Sequence, residues 1–316
     1  MSAVLTTPAG HTARPPSLDD AAAILRLVHA YTTAVVGFGD YTLDDVRDEL
    51  VRPGFDPARD AWLVFDGDEP VGYGVVENRG DGARVDVDVT SSRPAVVDWL
   101  FERVLARAGE VARAAGHAEV VVDQGVYRQD EALRDKVAAL GFTVGTTFHR
   151  MRADHAGDVP PPAPVGGLVL RPAVDDGARR AAHAIWNESF TGHFGFTPKT
   201  YDEWHEVQDR KSIFDWSGLW LAELDGEPVG FLERTDQFAD ENRGYVGHLG
   251  VLPAARGRGV AGHLLRHAFH LDAAEGRVGT VLHVDSNNPT PALGLYESVG
   301  MRPVLVIDVW RGAFPT

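Results

Sequence analysis

Apolar positions in this chain fall into two alternating kinds of run. Short runs rich in β-branched and aromatic residues, such as Trp62–Phe65 and Leu219–Leu224, read as strands. Longer stretches with apolar residues three or four apart, such as that carrying Ala181, Ile185 and Phe190, read as helices. In the second half the pattern predicts strand Leu168–Arg171, helix Asp175–Ser189, and a helix opened by Pro198 and running to about Arg210. Strands Leu219–Leu224 and Pro228–Glu233 follow around an Asp225-Gly226 hairpin turn, then strand Tyr245–Val251 and a helix from about Gly259 to Ala274. Strand Val278–Val284, helix Pro291–Val299 and strand Pro303–Val309 complete it. The first half predicts helices near Asp19–Thr33 and Leu43–Leu50 and strands at 61–65, 70–77 and 83–89. A helix from about Ala95 to Ala115, strand Glu119–Val122, helix Glu131–Leu140 and strand Thr143–Arg150 come next. The order βααβββαβαβ, written twice, predicts an α/β (α+β) fold of two tandem domains, each a mixed, largely antiparallel central sheet flanked by helices.

The two halves also echo each other in letters. Trp62-Leu63-Val64-Phe65-Asp66-Gly67-Asp68-Glu69-Pro70-Val71-Gly72-Tyr73 returns 158 residues later as Trp220-Leu221-Ala222-Glu223-Leu224-Asp225-Gly226-Glu227-Pro228-Val229-Gly230-Phe231. Ala139-Leu140-Gly141-Phe142 returns at nearly the same offset as Ser298-Val299-Gly300-Met301. Two echoes at one spacing indicate duplication. Between them, Pro160, Pro161, Pro162 and Pro164 prevent either a helix or a central strand, so residues 158–167 read as a stiff, extended linker. The expected domains are therefore 1–157 and 168–316.

Composition narrows the chemistry. The chain has 316 residues and a net charge of −16, and both halves are acidic, which argues against nucleic acid or an anionic membrane as partner and suits a cationic small molecule such as an amine. With no cysteine, disulfides, thiolate nucleophiles and cysteine-based zinc sites are excluded. No apolar run approaches the roughly 20 residues of a membrane span, and residues 1–16 lack the features of a signal peptide, so a cytoplasmic location is expected.

The strongest local signal is Val251-Leu252-Pro253-Ala254-Ala255-Arg256-Gly257-Arg258-Gly259-Val260-Ala261-Gly262. A strand ends, glycines and alanines clear the approach, and an amphipathic helix begins with Leu264, Leu265 and Ala268 inward. Backbone N–H groups then converge at a helix N-terminus, which suits a pyrophosphate, and Arg256 and Arg258 add charge. The alternative is a glycine-rich turn with no ligand. A P-loop would need Gly-Lys-Ser/Thr here, and a Rossmann loop would need a parallel βαβ array that the element order contradicts.

The segment resembles the acyl-CoA-binding motif of the GNAT superfamily of N-acetyltransferases, Gln/Arg-x-x-Gly-x-Gly/Ala, as Arg256-x-x-Gly259-x-Ala261 preceded by Val251-x-Pro253. A second motif of that superfamily is matched downstream by Asn288, Ala292, Leu295-Tyr296-Glu297 and Gly300-Met301, although most members have Phe after that glycine and place the Asn one residue nearer the Ala. The resemblance covers the whole second half. It implies acetyl-CoA as co-substrate, with strands 245–251 and 278–284 splayed around the pantetheine arm. Residues Leu249, Gly250 and Val251 would line that arm and Arg256 to Gly262 would hold the pyrophosphate. The Val251 N–H would polarise the thioester carbonyl, and Asn288 would bond the arm from the other side. Tyr296 matches the general acid that protonates the departing thiolate; the competing reading is a core Tyr on the stripe of Ala292, Leu295 and Val299.

The base is open. Many relatives place a Glu where this chain has Tyr245, so Glu233, His283, Asp285 or a water held by them are the candidates. His248 falls on the opposite strand face from Tyr245 unless a bulge shifts the register, and reads as structural. His263, His267 and His270 share a helix face, but no acidic residue completes a metal set in sequence, so an exposed polar face explains them better and no metal is expected. In the first half the equivalent loop, Val89 to Trp99, has lost its glycines, and Pro94, Asp98 and Trp99 stand where pyrophosphate would sit. That half reads as a degenerate, non-catalytic copy; Asp40, Asp44 and Asp45 facing a cleft would be the alternative.

A tandem chain of this length with an active second half resembles mycothiol synthase and its actinobacterial relatives. Phe190-Thr191-Gly192-His193 and Phe214-Asp215 support that likeness, which implies that the His193–Phe196 loop and Trp204 roof the acceptor pocket. Tyr245 and His283 depart from it where acceptor chemistry happens. The expectation is an acetyl-CoA-dependent N-acetyltransferase acting on the primary amine of a small molecule. The alternatives are mycothiol synthesis proper, on a cysteinyl amine, or an acyl-CoA-binding sensor without turnover.

Overall fold

The computed structural model describes residues 7–287 and 292–316. The chain forms two compact units, Met1–Gly145 with Ile307–Thr316, and Thr146–Val306. The first contains β1 (His11–Arg14), α1 (Ala21–Val36), α2 (Leu43–Leu50), α3 (Pro57–Asp60), β2 (Ala61–Asp66), β3 (Glu69–Asn78), β4 (Arg84–Thr90), α4 (Pro94–Ala114), β5 (Glu119–Tyr127) and α5 (Glu131–Ala139). The strand β6 (Thr143–Asp154) belongs to the second unit from Thr146 onward. There follow β7 (Leu168–Pro172), α6 (Asp176–Phe190), α7 (Tyr201–Arg210), β8 (Leu219–Leu224), β9 (Glu227–Thr235), β10 (Gly244–Val251), α8 (Val260–Ala274), β11 (Gly279–Asp285) and α9 (Ala292–Ser298). The strand β12 (Arg302–Pro315) returns to the first unit at Ile307.

Local chemistry sets these boundaries. Thr42 with Asp45, and Thr200 with Glu203, form reciprocal capping boxes that open α2 and α7. Asp175 caps α6 by accepting from the Ala178 N–H. Asp225 and Gly226 both have positive φ, 56° and 89°, which is the tight turn that joins β8 to β9 without splaying them.

In the first unit the strand order is β1-β2-β3-β4-β5-β12, and only β4 and β5 run parallel. In the second it is β6-β11-β10-β9-β8-β7, and only β10 and β11 run parallel. The architecture is thus α/β with mixed, mostly antiparallel sheets. The outer partner of β11 is residues 148–154, which precede the proline-rich segment, and the outer partner of β5 is residues 307–315. The compact units therefore cut the chain at 145 and 306, and residues 158–167 lie within the second. A local pattern marks a segment as a strand but not the edge on which it will pair.

Each sheet buries both faces. In the first unit α4 covers one face around Leu100, Phe101 and Val104, and α1 and α2 cover the other around Ile24, Val46 and Leu63. In the second, α8 packs Leu264 and Leu265 against β10 and β11, while α6 sets Ile185 and Trp186 against β8 and β9. Each fully buried leucine contributes about 1.5–3 kcal/mol. The proline-rich segment is held along α8: His270 Nδ1 lies 2.7 Å from the Val159 carbonyl, and His263 bonds the carbonyl of Ala163. His267 packs edge-on against Trp220, with ring centres 4.3 Å apart. The three imidazoles that share a helix face are thus turned to separate partners.

The first unit also holds a cavity of about 330 Å³ between α2 and the sheet, lined in part by Tyr41, Glu49, Glu77, Asp86, Asp88 and Asp123. Glu49 accepts hydrogen bonds from Tyr73 (2.5 Å) and Tyr41 (3.2 Å). Burial pushes its carboxyl up to about 7, against the pull of those bonds and of Arg52. Asp40, Asp44 and Asp45 do not line this cavity. Asp40 accepts from Tyr127, Asp45 serves the cap of α2, and Asp44 pairs with Arg47. No helix among the described residues is long and apolar enough to cross a membrane.

Candidate active site

The second unit builds its site where two strands part. β10 pairs with β9 as far as Val251, but with β11 only from Gly244 to Val246, opposite Thr280 to Leu282. The Leu252 N–H donates to the Val229 carbonyl at 2.8 Å, which makes Val251 and Gly230 a pair without direct bonds. By the alternation of an antiparallel ladder, the N–H and C=O of Leu249 and Val251 then face the gap. Arg256 Nε donates to the Val251 carbonyl at 3.2 Å and leaves the N–H beside it. Gly250 between them is enforced by packing, because a Cβ there would collide with Ser189 Oγ and the Phe231 ring.

At the end of the gap the chain turns into α8. Gly257 and Gly259 hold φ of 75° and 82°, and no side chain caps the helix. Its first internal bond is from the His263 N–H to the Gly259 carbonyl, so the amides of Val260, Ala261 and Gly262 have no intrahelical acceptor. Together with the helix dipole they make a cluster of donors suited to an anion. Arg256 stands at its mouth, and Arg258 is tied to Asp225 at 3.2 Å. A cavity of about 320 Å³ runs from these amides to Tyr296, lined also by Leu249, Gly250 and Val251. The Tyr296 hydroxyl has no hydrogen-bond partner among the described residues, and burial pushes its pKa up to about 12. Asn288 lies outside the described residues.

A second cavity, of about 230 Å³, shares Phe190, His193, Leu249 and Tyr296 with the first. Phe148, Phe194 and Phe196 give it apolar walls, and His248, His283 and Asp285 are its polar groups. Trp204 is buried in the aromatic cluster beneath α6 and α7. The ring of His283 is held on both sides: Arg150 Nε donates to its Nε2 at 3.1 Å, and Nδ1 lies 2.9 Å from the Tyr245 hydroxyl. Because guanidinium only donates, Nε2 is the acceptor and Nδ1 carries the proton. Asp285 accepts from the Asn287 N–H and from Thr146. Burial lowers the pKa of His193, Asp285 opposes the fall, and Arg256 adds to it.

Glu233 sits behind the wall, 1% exposed, and lines neither cavity. Gln208 Nε2 donates to it at 2.6 Å, Lys211 Nζ is 3.8 Å away, and His248 Nδ1 is 3.1 Å away. Burial alone would raise this carboxyl, but His248 and Lys211, with the bond from Gln208, pull it down to about 2. His248 reaches this position because the register of β10 shifts between Val246 and His248. Gly247 occupies the bulge, and a Cβ on it would come within 2.9 Å of Glu233 Oε1. Regular alternation would place His248 on the opposite strand face from Tyr245, and the bulge is the register shift that brings the two to one face. A glycine inside a strand pattern was the available sign that the alternation breaks.

Among the described residues, the first unit lacks this apparatus. Its α4 begins with Pro94, which has no N–H, and the amides of Val96 and Val97 both donate to the Arg93 carbonyl. Ser91 donates to the Val71 carbonyl, and Arg93 pairs with Asp66.

Residues 179–301 match the model of the acetyltransferase (GNAT) family. A curated relative, the mycothiol acetyltransferase of Acidothermus cellulolyticus, is 31% identical over 219 residues. That alignment takes in 64% of this chain and 62% of the relative, so the chain spans less than two thirds of it. Among solved structures, a GCN5-related N-acetyltransferase from Sphaerobacter thermophilus superposes with a TM-score of 0.84 at 24% identity, covering 98% of each chain. A tandem GNAT protein from the clavulanic acid biosynthesis pathway superposes at 0.68 and 17% identity, over 96% of this chain and 98% of its own. At these identities the two structures speak for the fold.

Proposed function

We propose that the second unit, which carries the GNAT-family domain, transfers an acetyl group from acetyl-CoA to the primary amine of a small molecule by direct attack. The observation that carries this reading is the continuity of the parted strands: one cavity leads from the uncapped start of α8, past the gap-facing amides of Leu249 and Val251, to Tyr296, where a second cavity begins. In this reading the amides of Gly257 to Gly262, with Arg256 and Arg258, hold the pyrophosphate, and the backbone of Leu249 and Val251 pairs with the pantetheine arm. The Val251 N–H bonds the thioester oxygen as it gains charge, an interaction of a kind worth about 2.7–4 kcal/mol in a dry site. Tyr296 keeps its proton through neutral pH and gives it to the departing thiolate. The first unit acts as a non-catalytic copy, because Pro94 and the satisfied amides of α4 leave no anion site. Use of acetyl-CoA fits a cytoplasmic location.

The name of the Acidothermus relative favours one particular acceptor, the amine of a mycothiol precursor. An acyl-CoA sensor would need the glycine loop but not a phenol at the sulfur. Thermal unfolding with and without acetyl-CoA, together with thiol release across a panel of amines that includes the mycothiol precursor, tests all three readings. Ligand-linked stabilisation plus amine-dependent release is expected, with Tyr296→Phe keeping the stabilisation and losing transfer by about 10²–10⁴-fold. Stabilisation without release on any amine would favour the sensor. Absence of any stabilisation would reject the whole reading.

A further inference from the structure

Resting on the acetyl-transfer reading above, we propose that His248 is the general base, taking a proton from the acceptor's ammonium group through Nε2, and that Glu233 is its positioning residue. An ammonium group has no lone pair, so the acceptor must lose a proton before it attacks. The cavity that would receive it offers four polar side chains besides Tyr296: His193, His248, His283 and Asp285. His283 spends its lone pair on Arg150, and Asp285 accepts from Asn287 and Thr146. His193 sits on a loop where burial, aided by Arg256 and opposed by Asp285, makes it a weaker base. His248 differs from all of these. It stands on a sheet strand, with Trp186 and Phe190 edge-on to its ring at 6.1 and 5.5 Å.

Nδ1 of the ring is buried and lies 3.1 Å from Glu233 Oε1, out of line for a hydrogen bond; the carboxylate, which can only accept, favours the proton of the neutral imidazole on Nδ1. That leaves Nε2, on the other edge of the ring, for the cavity. Glu233 stays ionised because Lys211 and Gln208 also face it, and its charge stabilises the imidazolium that forms during turnover. The bulge at Gly247 makes the arrangement possible, by bringing His248 opposite Glu233 and leaving no Cβ in the carboxylate's way.

The protons balance. His248 Nε2 removes one proton from R–NH3⁺, and the freed electron pair attacks the thioester carbon. The C–S bond breaks, its electrons go to sulfur, and Tyr296 protonates the thiolate. The positively charged amide nitrogen returns a proton to Tyr296, directly or through water. His248 then releases its proton to solvent.

The test compares two acceptors of similar shape that suit the phenylalanine-lined cavity, 2-phenylethylamine, which is protonated at neutral pH, and O-benzylhydroxylamine, whose amino group is already neutral. His248→Gln should lower turnover of 2-phenylethylamine by about 10²–10⁴-fold and leave acetyl-CoA affinity unchanged, while O-benzylhydroxylamine loses less than about ten-fold. Glu233→Gln, which frees the ring it positions, should likewise cost 2-phenylethylamine more than O-benzylhydroxylamine and leave acetyl-CoA affinity unchanged. His193→Gln is the control and should affect the two amines alike.

Nitrogen-15 NMR of the imidazoles gives a reading independent of turnover: His248 should carry its neutral proton on Nδ1. Equal losses on the two amines in His248→Gln or in Glu233→Gln, or a neutral proton on Nε2, would each overturn the assignment. If the wild type acetylates neither amine, acetyl transfer to such acceptors fails as a reading, and the NMR alone decides for or against the His248–Glu233 arrangement.

Discussion

Replacing Glu49 by Gln should stabilise the first unit in alkaline solution and do little in acid. Glu49 is 9% exposed and is bonded by the hydroxyls of Tyr73 and Tyr41, and burial lifts its pKa from the ordinary 4.5 to about 7. Because the folded value lies above the unfolded one, the folded state holds the proton more tightly. Its contribution to stability is complete below about pH 4.5 and is lost as pH rises through about 7. The gap between 4.5 and about 7, at roughly 1.4 kcal/mol per pH unit, corresponds to roughly 3 kcal/mol. A Gln side chain keeps the shape and an acceptor oxygen for the tyrosines but cannot ionise. Glu49→Gln should therefore match the wild type within about 1 kcal/mol at pH 5 and exceed it by roughly 3 kcal/mol at pH 9. In a unit of this size that is a melting-point rise of about 6–12 °C. Circular dichroism melts at pH 5, 7 and 9 measure the difference, and other titrating groups largely cancel between the two proteins. A difference independent of pH, or a variant less stable at pH 9, would refute the reasoning.

Gly259→Ala forces a side chain into a left-handed backbone at the head of α8, at a cost of about 1–2 kcal/mol. It should weaken acetyl-CoA binding measured by calorimetry several-fold while lowering the melting point by only a few degrees. Asp272 is fully buried and accepts from Arg234 Nε (3.1 Å) and Nη2 (2.5 Å) and from Thr280. Asp272→Ala removes the buried partner of Arg234 and leaves it Glu275 at 2.9 Å, so it should cost about 1.5–3 kcal/mol in denaturant unfolding. Deleting residues 307–316 removes the outer partner of β5, and the first unit should then be cut at low protease levels that spare the intact protein.

Much of this architecture is written in local pattern. Asp225-Gly226 marks a tight turn because its two residues tolerate positive φ, and the loop from Val251 to Gly262 marks an uncapped helix start because its glycines and alanines expose backbone amides. The short strand β1, alternating half-buried and exposed over four residues, offers too weak a signal to be located, although the repeated element order calls for a strand before the first helix. The placement of His248 depends on a bulge, and one inserted residue reverses every later side chain without changing composition. Glu233 and His283 are legible as titratable residues on the strands that flank β10. That one is sealed behind the wall and the other engaged by Arg150 depends on Gln208, Lys211 and Arg150, which come from other segments. The pairing of residues 148–154 with β11, and of 307–315 with β5, is likewise a choice between strands that look alike in sequence.

That pairing has a consequence for the order of events on the ribosome. Tyr127, at the end of β5, pairs with Ile307, which is synthesised 180 residues later. At roughly 5–20 residues per second, β5 waits on the order of 10–40 seconds for its neighbour. Through that interval it presents an apolar strand edge, Val120-Val121-Val122, of the kind that captures other chains. The unit made first can close its sheet only after the one made second has emerged, so slow translation or a pause late in the message would prolong the exposure. The yield of soluble protein should then depend more on elongation rate and chaperone supply than the stability of the finished fold would suggest.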